Sequence, residues 1–287
     1  MATATMTMNR TPSPGPEGAV PSMSPGLADS VREVVRHRDL LYLLTWREMK
    51  IRYKQSVMGF LWALLMPMVI ISAGIIVRYA FAGLSGATVK SSDIAAVAVK
   101  AAPYAFFVSA IRFGTNSLIS NSSLLTKVYM PRLIFPLSAV FAQLLDFLVA
   151  ATVVGVFLVI FGVGGSVQLL WLPLLFAELV MLASGFAIIL SAAGVFFRDV
   201  KYLVEVLLTF AVFFVPVFYD ASMLGRWGTL VLLNPVSPIL EAISATVVGH
   251  RPPDLAWVAY SLAFGLLLLG GSLTAFRKLE PYFAESV

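Results

Sequence analysis

Six ionisable residues lie inside long apolar stretches of this sequence: Arg78, Lys100, Arg112, Asp146, Glu178 and Glu205. A charged side chain in hydrocarbon is costly, so such residues pair with one another, line a polar pathway or relay protons. A rise of about 1.5 Å per helical residue places Arg78, Lys100 and Glu178 at a similar depth near the outer side of the membrane. It places Arg112 and Glu205 at a similar depth near the inner side. We expect ion pairs within each level. Asp146 has no evident partner and is expected to face the interior of an assembly or to be protonated.

The sequence carries none of the common catalytic or nucleotide-binding signatures. It has no cysteine, and its two histidines, His37 and His250, are far apart, which disfavours thiolate chemistry and a metal centre. No glycine is followed by lysine, so there is no phosphate-binding loop of the type GxxxxGK[ST]. HExxH, GxSxG and DxD patterns are also missing. We expect a chain that is not an enzyme, binds no cofactor and relies on another subunit for any use of ATP.

The composition excludes a water-soluble globule. Of the 287 residues, 59% are hydrophobic and 12% are charged, against about 25% charged residues in an average soluble domain. The charges are also uneven, since residues 1–56 hold 13 of the 35. In such a chain a formal net charge of +5 marks cytoplasmic loops near anionic lipid rather than a nucleic-acid-binding surface. Residues 57–276 are predicted to be a membrane domain.

Six apolar runs are each close to or above the roughly 20 residues that cross hydrocarbon. They cover about 57–82, 94–118, 132–161, 171–197, 202–219 and 255–276. With the N-terminus inside, fourteen Lys and Arg residues fall on the inner side against three outside, Lys90, Arg226 and Arg251. The positive-inside rule predicts an all-α integral membrane protein with six transmembrane helices and both termini cytoplasmic. The proline-rich residues 1–28 are expected to be a disordered tail, and 277–287 a cytoplasmic tail.

Residues 29–56, ahead of the first run, have the pattern of a cytoplasmic amphipathic helix. Aromatic residues recur at helical spacing among cations; the residues concerned are Tyr42, Trp46, Arg47, Lys50, Arg52, Tyr53 and Lys54. This pattern suits a helix in the membrane interface, with rings and aliphatic side chains towards lipid and cations at the headgroups. The alternative is a solvated helix beside the membrane.

Residues 220–250 contain a run of nearly span length that is broken in its middle. The interrupting residues are Asn234, Pro235, Pro238 and Glu241. Proline removes backbone donors, and irregular backbone at membrane depth must be shielded by protein or a water-filled cavity. We predict a re-entrant helical hairpin on the outer face between spans five and six, which closes or lines a passage. Glu241 is expected to cap a backbone amide or to pair with a cation such as Arg251, and the alternative is a surface loop with one amphipathic helix.

Four segments of the chain, in order, resemble the signature regions of one transporter family. They are TWREMKIRYKQSVMGFLWALLMPM (45–68), NSSLLTKVYMPRLIFPLSAV (121–140), FFRDVKYLVEVLLTFAVFFVPVFYD (196–220) and LLNPVSPILEAI (232–243). These segments are similar to those of type-2 ABC exporter permeases, in particular the group that exports O-antigen, capsule and teichoic acid polymers. The resemblance covers about residues 38–276.

The resemblance implies a homodimeric six-helix permease that works with two copies of a separate ABC ATPase, which holds ATP and magnesium. The substrate would be a lipid-linked polysaccharide, moved across the bacterial cytoplasmic membrane between the two permease copies. In this family the loop between spans two and three docks on the ATPase as a coupling helix. The matching residues are Asn121, Ser122, Ser123, Leu124, Leu125, Thr126, Lys127 and Tyr129. The alternative is an ordinary short turn.

Aromatic side chains of the fifth run suit a path for a sugar chain, whose C–H faces pack on rings. At helical spacing, those on one face or at its outer end are Phe210, Phe213, Phe214, Phe218 and Tyr219. Pro216 is expected to kink this helix. Packing or lipid contact is the alternative role for these rings.

We interpret the chain as the permease subunit of an ATP-driven exporter of a lipid-linked polysaccharide. One alternative is an autonomous channel or secondary transporter that uses the intramembrane charges directly. Another is an integral-membrane lipid enzyme. Transport that requires ATP and a separate ATPase distinguishes the first interpretation from both.

Overall fold

The computed structural model describes residues 27–54, 59–86, 88–127 and 130–283, and every regular element in these ranges is helical. Most of the expected N-terminal tail, as well as Tyr129, lies outside the described residues. The α-helices of the described part are α1 (Leu27–Arg36), α2 (Arg38–Lys54), α3 (Gly59–Ser85), α4 (Ser91–Ser120), α5 (Ser122–Lys127), α6 (Ile134–Ile160), α7 (Leu172–Phe196), α8 (Val200–Phe214), α9 (Gly228–Leu232), α10 (Val236–Val247) and α11 (Leu255–Leu279).

Four described helical segments are long and apolar enough to cross a membrane by length and composition. They are Ser91–Ser120, Ile134–Ile160, Val167–Phe196 and Leu255–Tyr282, where the third adds a 3₁₀ turn to α7 and the fourth adds one to α11. Each has 27 to 30 residues, more than the roughly 20 that hydrocarbon requires. The other two predicted spans correspond to α3, with an apolar stretch at Met68–Leu84, and to α8.

The fifth predicted span is shorter in the structure than the sequence pattern suggested. α8 ends at Phe214 rather than near residue 219, and its 15 residues extend about 22 Å at 1.5 Å per residue. Val215 is extended, with φ −119° and ψ 135°, because the ring of the following Pro216 disfavours helical backbone in the residue before it. Pro216 therefore follows the end of the helix instead of kinking it.

α4 lies at the centre of the bundle and packs against α3, α6, α7, α8 and α10. It lies close to α7 where Gly114 faces Ala187. A β-carbon on Gly114 would lie 2.4 Å from the β-carbon of Ala187, so this position requires glycine. The main hydrophobic core surrounds this contact and includes Phe107, Leu179 and Leu182. α4 and α7 thus form a tightly packed pair.

The segment between α8 and α11 contains α9 and α10, separated by a break at residues 233–235. Side chains of α11 satisfy carbonyls of this break. The Tyr260 hydroxyl donates to the Leu233 carbonyl at 2.7 Å, and the Ser261 hydroxyl donates to the Pro235 carbonyl at 2.5 Å. Ten of the 12 residues of α10 are buried, and the helix packs against α4, α7 and α11. α10 is therefore part of the core, unlike the surface helix considered as the alternative.

The predicted amphipathic region is two helices, α1 and α2, which meet at a turn at His37. α2 packs along α6. In its first half, Leu44 is buried in a second core with Leu118, Ile134 and Phe276. Near its end, Arg52 contacts Asp146, which lies farther along α6. α2 consequently follows α6 over much of its own length.

Candidate transport and coupling sites

Two cations and two carboxylates meet at the end of the bundle where α4 begins. We call Arg78, Lys100, Asp220 and Glu241 the hairpin cluster, because Asp220 precedes α9 and Glu241 lies in α10. Lys100 has no solvent exposure. Its Nζ donates to the Tyr219 carbonyl at 2.7 Å, to Asp220 Oδ1 at 2.8 Å and to Glu241 Oε1 at 3.4 Å. Three acceptors match the three N–H groups of an ammonium, so this buried charge is fully satisfied.

Asp220 bridges the two cations of the hairpin cluster. Arg78 of α3 is buried, and its Nη2 lies 2.7 Å from Asp220 Oδ2. Burial raises the pKa of Asp220, but the Lys100 ammonium and the Arg78 guanidinium outweigh this and hold the pKa below its ordinary value. The carboxylate therefore stabilises the fold above its unfolded-state pKa of about 4. That contribution is lost only as the pH falls through the lowered pKa.

Glu241 has two contacts of the kinds expected from the sequence. Its Oε1 accepts a hydrogen bond from the Ala221 backbone N–H at 3.2 Å and lies near the Lys100 ammonium. The cation is not Arg251, which is exposed beyond α10. Lys100 takes this place because α10 packs directly on α4. Asp220 was missed in the sequence analysis, although its position directly after the fifth apolar run was a usable signal.

The break in the hairpin segment lies at Asn234 and Pro235. The Asn234 side-chain oxygen accepts from the Val236 backbone N–H at 3.3 Å, and Pro235 immediately precedes α10. Pro238, in contrast, lies in the first turn of α10, where a backbone N–H has no partner within the helix. Of the two prolines expected to interrupt the run, only Pro235 does so.

The two charged residues predicted to lie near the inner side of the membrane, Arg112 and Glu205, form the ion pair expected from their depth. Arg112 Nη2 of α4 lies 2.9 Å from Glu205 Oε1 of α8. The guanidinium side chain is 37% exposed and the carboxylate 51%, so the pair lies at the surface of the bundle. It joins α8 to the central helix.

The ion pairing predicted for the other level is wrong, because Arg78 and Lys100 bind Asp220 and do not pair with Glu178. The depth count omitted the segment that supplies Asp220. Glu178 is buried in α7, and its Oε1 has no hydrogen-bond partner among the described residues. Within those residues no three His, Asp or Glu side chains are grouped as a metal site requires.

Asp146, predicted to lack a partner, binds Arg52. Arg52 Nη1 lies 2.6 Å from Asp146 Oδ2 and 2.8 Å from Gln143 Oε1. The same guanidinium is 4.2 Å from the centre of the Phe113 ring. The expectation that Arg52 reaches the headgroups is also wrong, because packing of α2 along α6 turns this side chain into the bundle.

The remaining residues of α2 divide between an exposed face and the loop that follows α4. Tyr42 and Trp46 are exposed, as are Lys50 and Lys54. Arg47 is half-buried and donates to the Asn121 side-chain oxygen. The exposed face combines rings and cations in the way that an interfacial helix does. The side chain of Tyr53 lies outside the described part.

The aromatic residues of the fifth run do not share one face. Phe210, Phe213 and Phe214 are 57%, 65% and 70% exposed on α8. Phe218 lies beyond the end of the helix and is buried in the main core. The Tyr219 hydroxyl donates to the Phe213 carbonyl at 3.1 Å. Three exposed rings therefore remain as the candidate wall of a passage.

The loop between α4 and α6 contains α5, a helix of 6 residues. Asn121, directly before α5, is buried and donates to the Ser117 carbonyl at 2.9 Å. It holds the loop in place and is not available as a docking group. Ser122 is half-buried and Ser123 is exposed, whereas Leu124 packs partly against the second core. The side chains of Leu125, Thr126 and Lys127, like Tyr129, lie outside the described part.

Comparison with known proteins identifies the class to which these helices and buried charges belong. Residues 39–248 match the ABC-2 type transporter family, so the chain belongs to this family of multi-pass membrane transport proteins. An O-antigen export system permease protein of Klebsiella pneumoniae is 28% identical over 250 residues, 86% of this chain and 94% of that protein. One of Myxococcus xanthus is 28% identical over 264 residues, 90% of this chain and 98% of that protein. The resemblance inferred from the four segments is confirmed at the level of the family.

Proposed function

We propose that this protein is the permease subunit of an ATP-driven ABC exporter that moves a lipid-linked polysaccharide of the O-antigen type across the bacterial cytoplasmic membrane. The observation that carries the proposal is that similarity to O-antigen export permeases extends over 86% and 90% of the chain. The chain provides the path through the membrane. A separate ABC ATPase binds ATP and magnesium and supplies the energy.

In this proposal α3, α4, α6, α7, α8 and α11 are the six spans, and both termini are cytoplasmic. α9 and α10 form the re-entrant hairpin on the outer face. Support comes from the satisfied break at residues 233–235 and from the burial of α10, because irregular backbone at membrane depth needs such shielding. The hairpin cluster then holds the hairpin against α3 and α4 and keeps the passage closed at rest.

Single cysteines test this topology, since the chain has none of its own. Ser222 and Arg251 are both exposed on either side of the hairpin. We expect Ser222→Cys and Arg251→Cys to react with a membrane-impermeant maleimide from outside intact spheroplasts. Ser123→Cys is the control and should react only after permeabilisation. If Arg251→Cys reacted from the cytoplasm alone, the hairpin segment would span the membrane and the six-span arrangement would fail.

The passage is proposed to lie between two copies of the chain, each with its own ATPase. α8 supports this arrangement, because it places three exposed phenylalanine rings on one short helix at the periphery of the bundle. Rings bind the C–H faces of successive sugars without selecting one sequence. A polymer can therefore slide along them.

The α5 loop is proposed to dock on the ATPase, and Ser123 is the position chosen for the test because its side chain is exposed. We expect Ser123→Trp to lower ATP-dependent export about tenfold and to reduce copurification of the ATPase, while the permease remains inserted. Thr274→Trp is the matched control, because Thr274 is also an exposed hydroxyl residue and lies near the C-terminal end of α11. Equal export by the two variants would show that α5 is not part of the surface that docks on the ATPase.

The function itself is tested by reconstituting the permease with a separate ABC ATPase subunit. Vesicles that contain both subunits should move lipid-linked glycan only when ATP is hydrolysed. Movement driven by a proton gradient with the permease alone would instead indicate a secondary transporter. Chemical turnover of the lipid without movement would indicate a lipid enzyme.

A further inference from the structure

The Arg52 guanidinium joins three helices at one point. It belongs to α2, binds Asp146 and Gln143 of α6, and lies over the Phe113 ring of α4. Gln143 is fully buried, and its Nε2 donates to the Ala139 carbonyl at 3.1 Å. This second bond fixes the amide, so that its oxygen stays directed at Arg52. The contact has one preferred geometry and is not a loose surface pair.

The depth of this contact makes it persistent. Asp146 is in the thirteenth position of α6, about 18 Å along the helix from Ile134. The Arg52 and Asp146 side chains are 25% and 26% exposed, so most of each is shielded from water, and separating two charges shielded in this way is costly. Charge-assisted hydrogen bonds are also directional, unlike contacts between aliphatic side chains, which repack when helices slide. α2 and α6 are therefore coupled at this point.

α2 has a second attachment one and a half turns earlier. Arg47 donates to the side chain of Asn121, which directly precedes α5. Asn121 is itself held to the end of α4 through Ser117. One helix is thus attached both to the start of the cytoplasmic loop and to a point deep on the third proposed span.

We infer that Arg52 is a positioning residue for transport, which passes displacement of α5 through α2 to α6 by its ion pair with Asp146. The inference rests on the proposed function, because the ATPase is what displaces α5. α5 also contacts α4 directly. α4 in turn packs against α6. The α2 route adds a directional ionic attachment to α6, so that two spans respond to one movement at the cytoplasmic surface.

The test uses the complete transporter, permease plus ATPase, in vesicles with lipid-linked glycan. ATP hydrolysis and glycan movement are measured together, and their ratio gives the coupling. Arg52→Gln should assemble with the ATPase and hydrolyse ATP, but move about tenfold less glycan per ATP. The reversed pair, Arg52→Asp with Asp146→Arg, should recover at least half of the wild-type ratio. Arg38→Gln, which removes an exposed cation from the same helix, should change the ratio less than twofold.

Coupled export by the wild type together with an unchanged ratio for Arg52→Gln overturns the inference and leaves the proposed function intact. Wild-type transporter that hydrolyses ATP without moving glycan overturns both. If Arg52→Gln does not assemble, Arg52→Lys keeps the charge but loses the guanidinium geometry. Its coupling should be intermediate, and wild-type coupling would again overturn the inference.

Discussion

Replacing Lys100 by methionine is expected to yield a protein that unfolds at a clearly lower temperature and assembles poorly. Lys100 is completely buried and contacts both carboxylates of the hairpin cluster. Removing one partner from a buried charge network leaves the others uncompensated and costs about 3–5 kcal/mol. We expect the lower end of that range, because Asp220 keeps its contact with Arg78.

Thermal unfolding of the purified permease in detergent measures this effect. Lys90→Met is the matched control, since Lys90 precedes the same helix but is exposed. Adding Glu241→Leu to Lys100→Met removes the carboxylate left without a cation and should restore part of the lost stability. Wild-type melting of Lys100→Met would show that the cluster does not hold these elements together.

Glu241→Ala is expected to loosen the hairpin without preventing assembly. The Ala221 N–H loses its acceptor, and Lys100 keeps the Asp220 carboxylate and the Tyr219 carbonyl. An unsatisfied buried donor costs about 1–3 kcal/mol, which corresponds to a rise of roughly fivefold to 150-fold in the open population. Ser237 has no solvent exposure, so a cysteine at this position reports opening.

Maleimide labelling of Ser237→Cys measures the open population through its rate. The rate should rise about tenfold in the Glu241→Ala background. Asp254→Ala is the control, because Asp254 caps only the start of its own helix through the Ala256 N–H. An equal labelling rate with and without Glu241 would mean that this carboxylate does not hold the hairpin.

The sequence predicted those features that depend on local composition. Apolar runs located the long helices to within a few residues, because a helix that crosses hydrocarbon must be apolar over its whole length. Depth counting paired Arg112 with Glu205, since both lie in regular helices whose rise per residue is constant. Family signatures identified the transporter class.

Partners contributed by segments outside the apolar runs could not be predicted in this way. Asp146 lacked a partner only because Arg52 had been assigned to the lipid headgroups. Lys100 was assigned to Glu178 by depth, whereas tertiary packing of the hairpin brings Asp220 and Glu241 closer. Helical periodicity was also carried through Pro216, which placed Phe218 on a face that ends at Phe214.

The contact between Gly114 and Ala187 has a mechanical consequence for how the protein can change shape. Between Gly114 and Ala187 there is room for only the Ala187 β-carbon, so sliding of either helix brings their atoms into collision. We therefore expect α4, α7 and α11, which packs on α7, to move as one rigid frame. In α8, by contrast, Val204 and Leu208 are the buried residues, and the joint to α4 is the partly exposed Arg112–Glu205 pair. Widening of a passage would therefore come from swinging this short helix against a fixed frame. In the proposed exporter, the work obtained from ATP would then be concentrated on the element that carries the exposed rings.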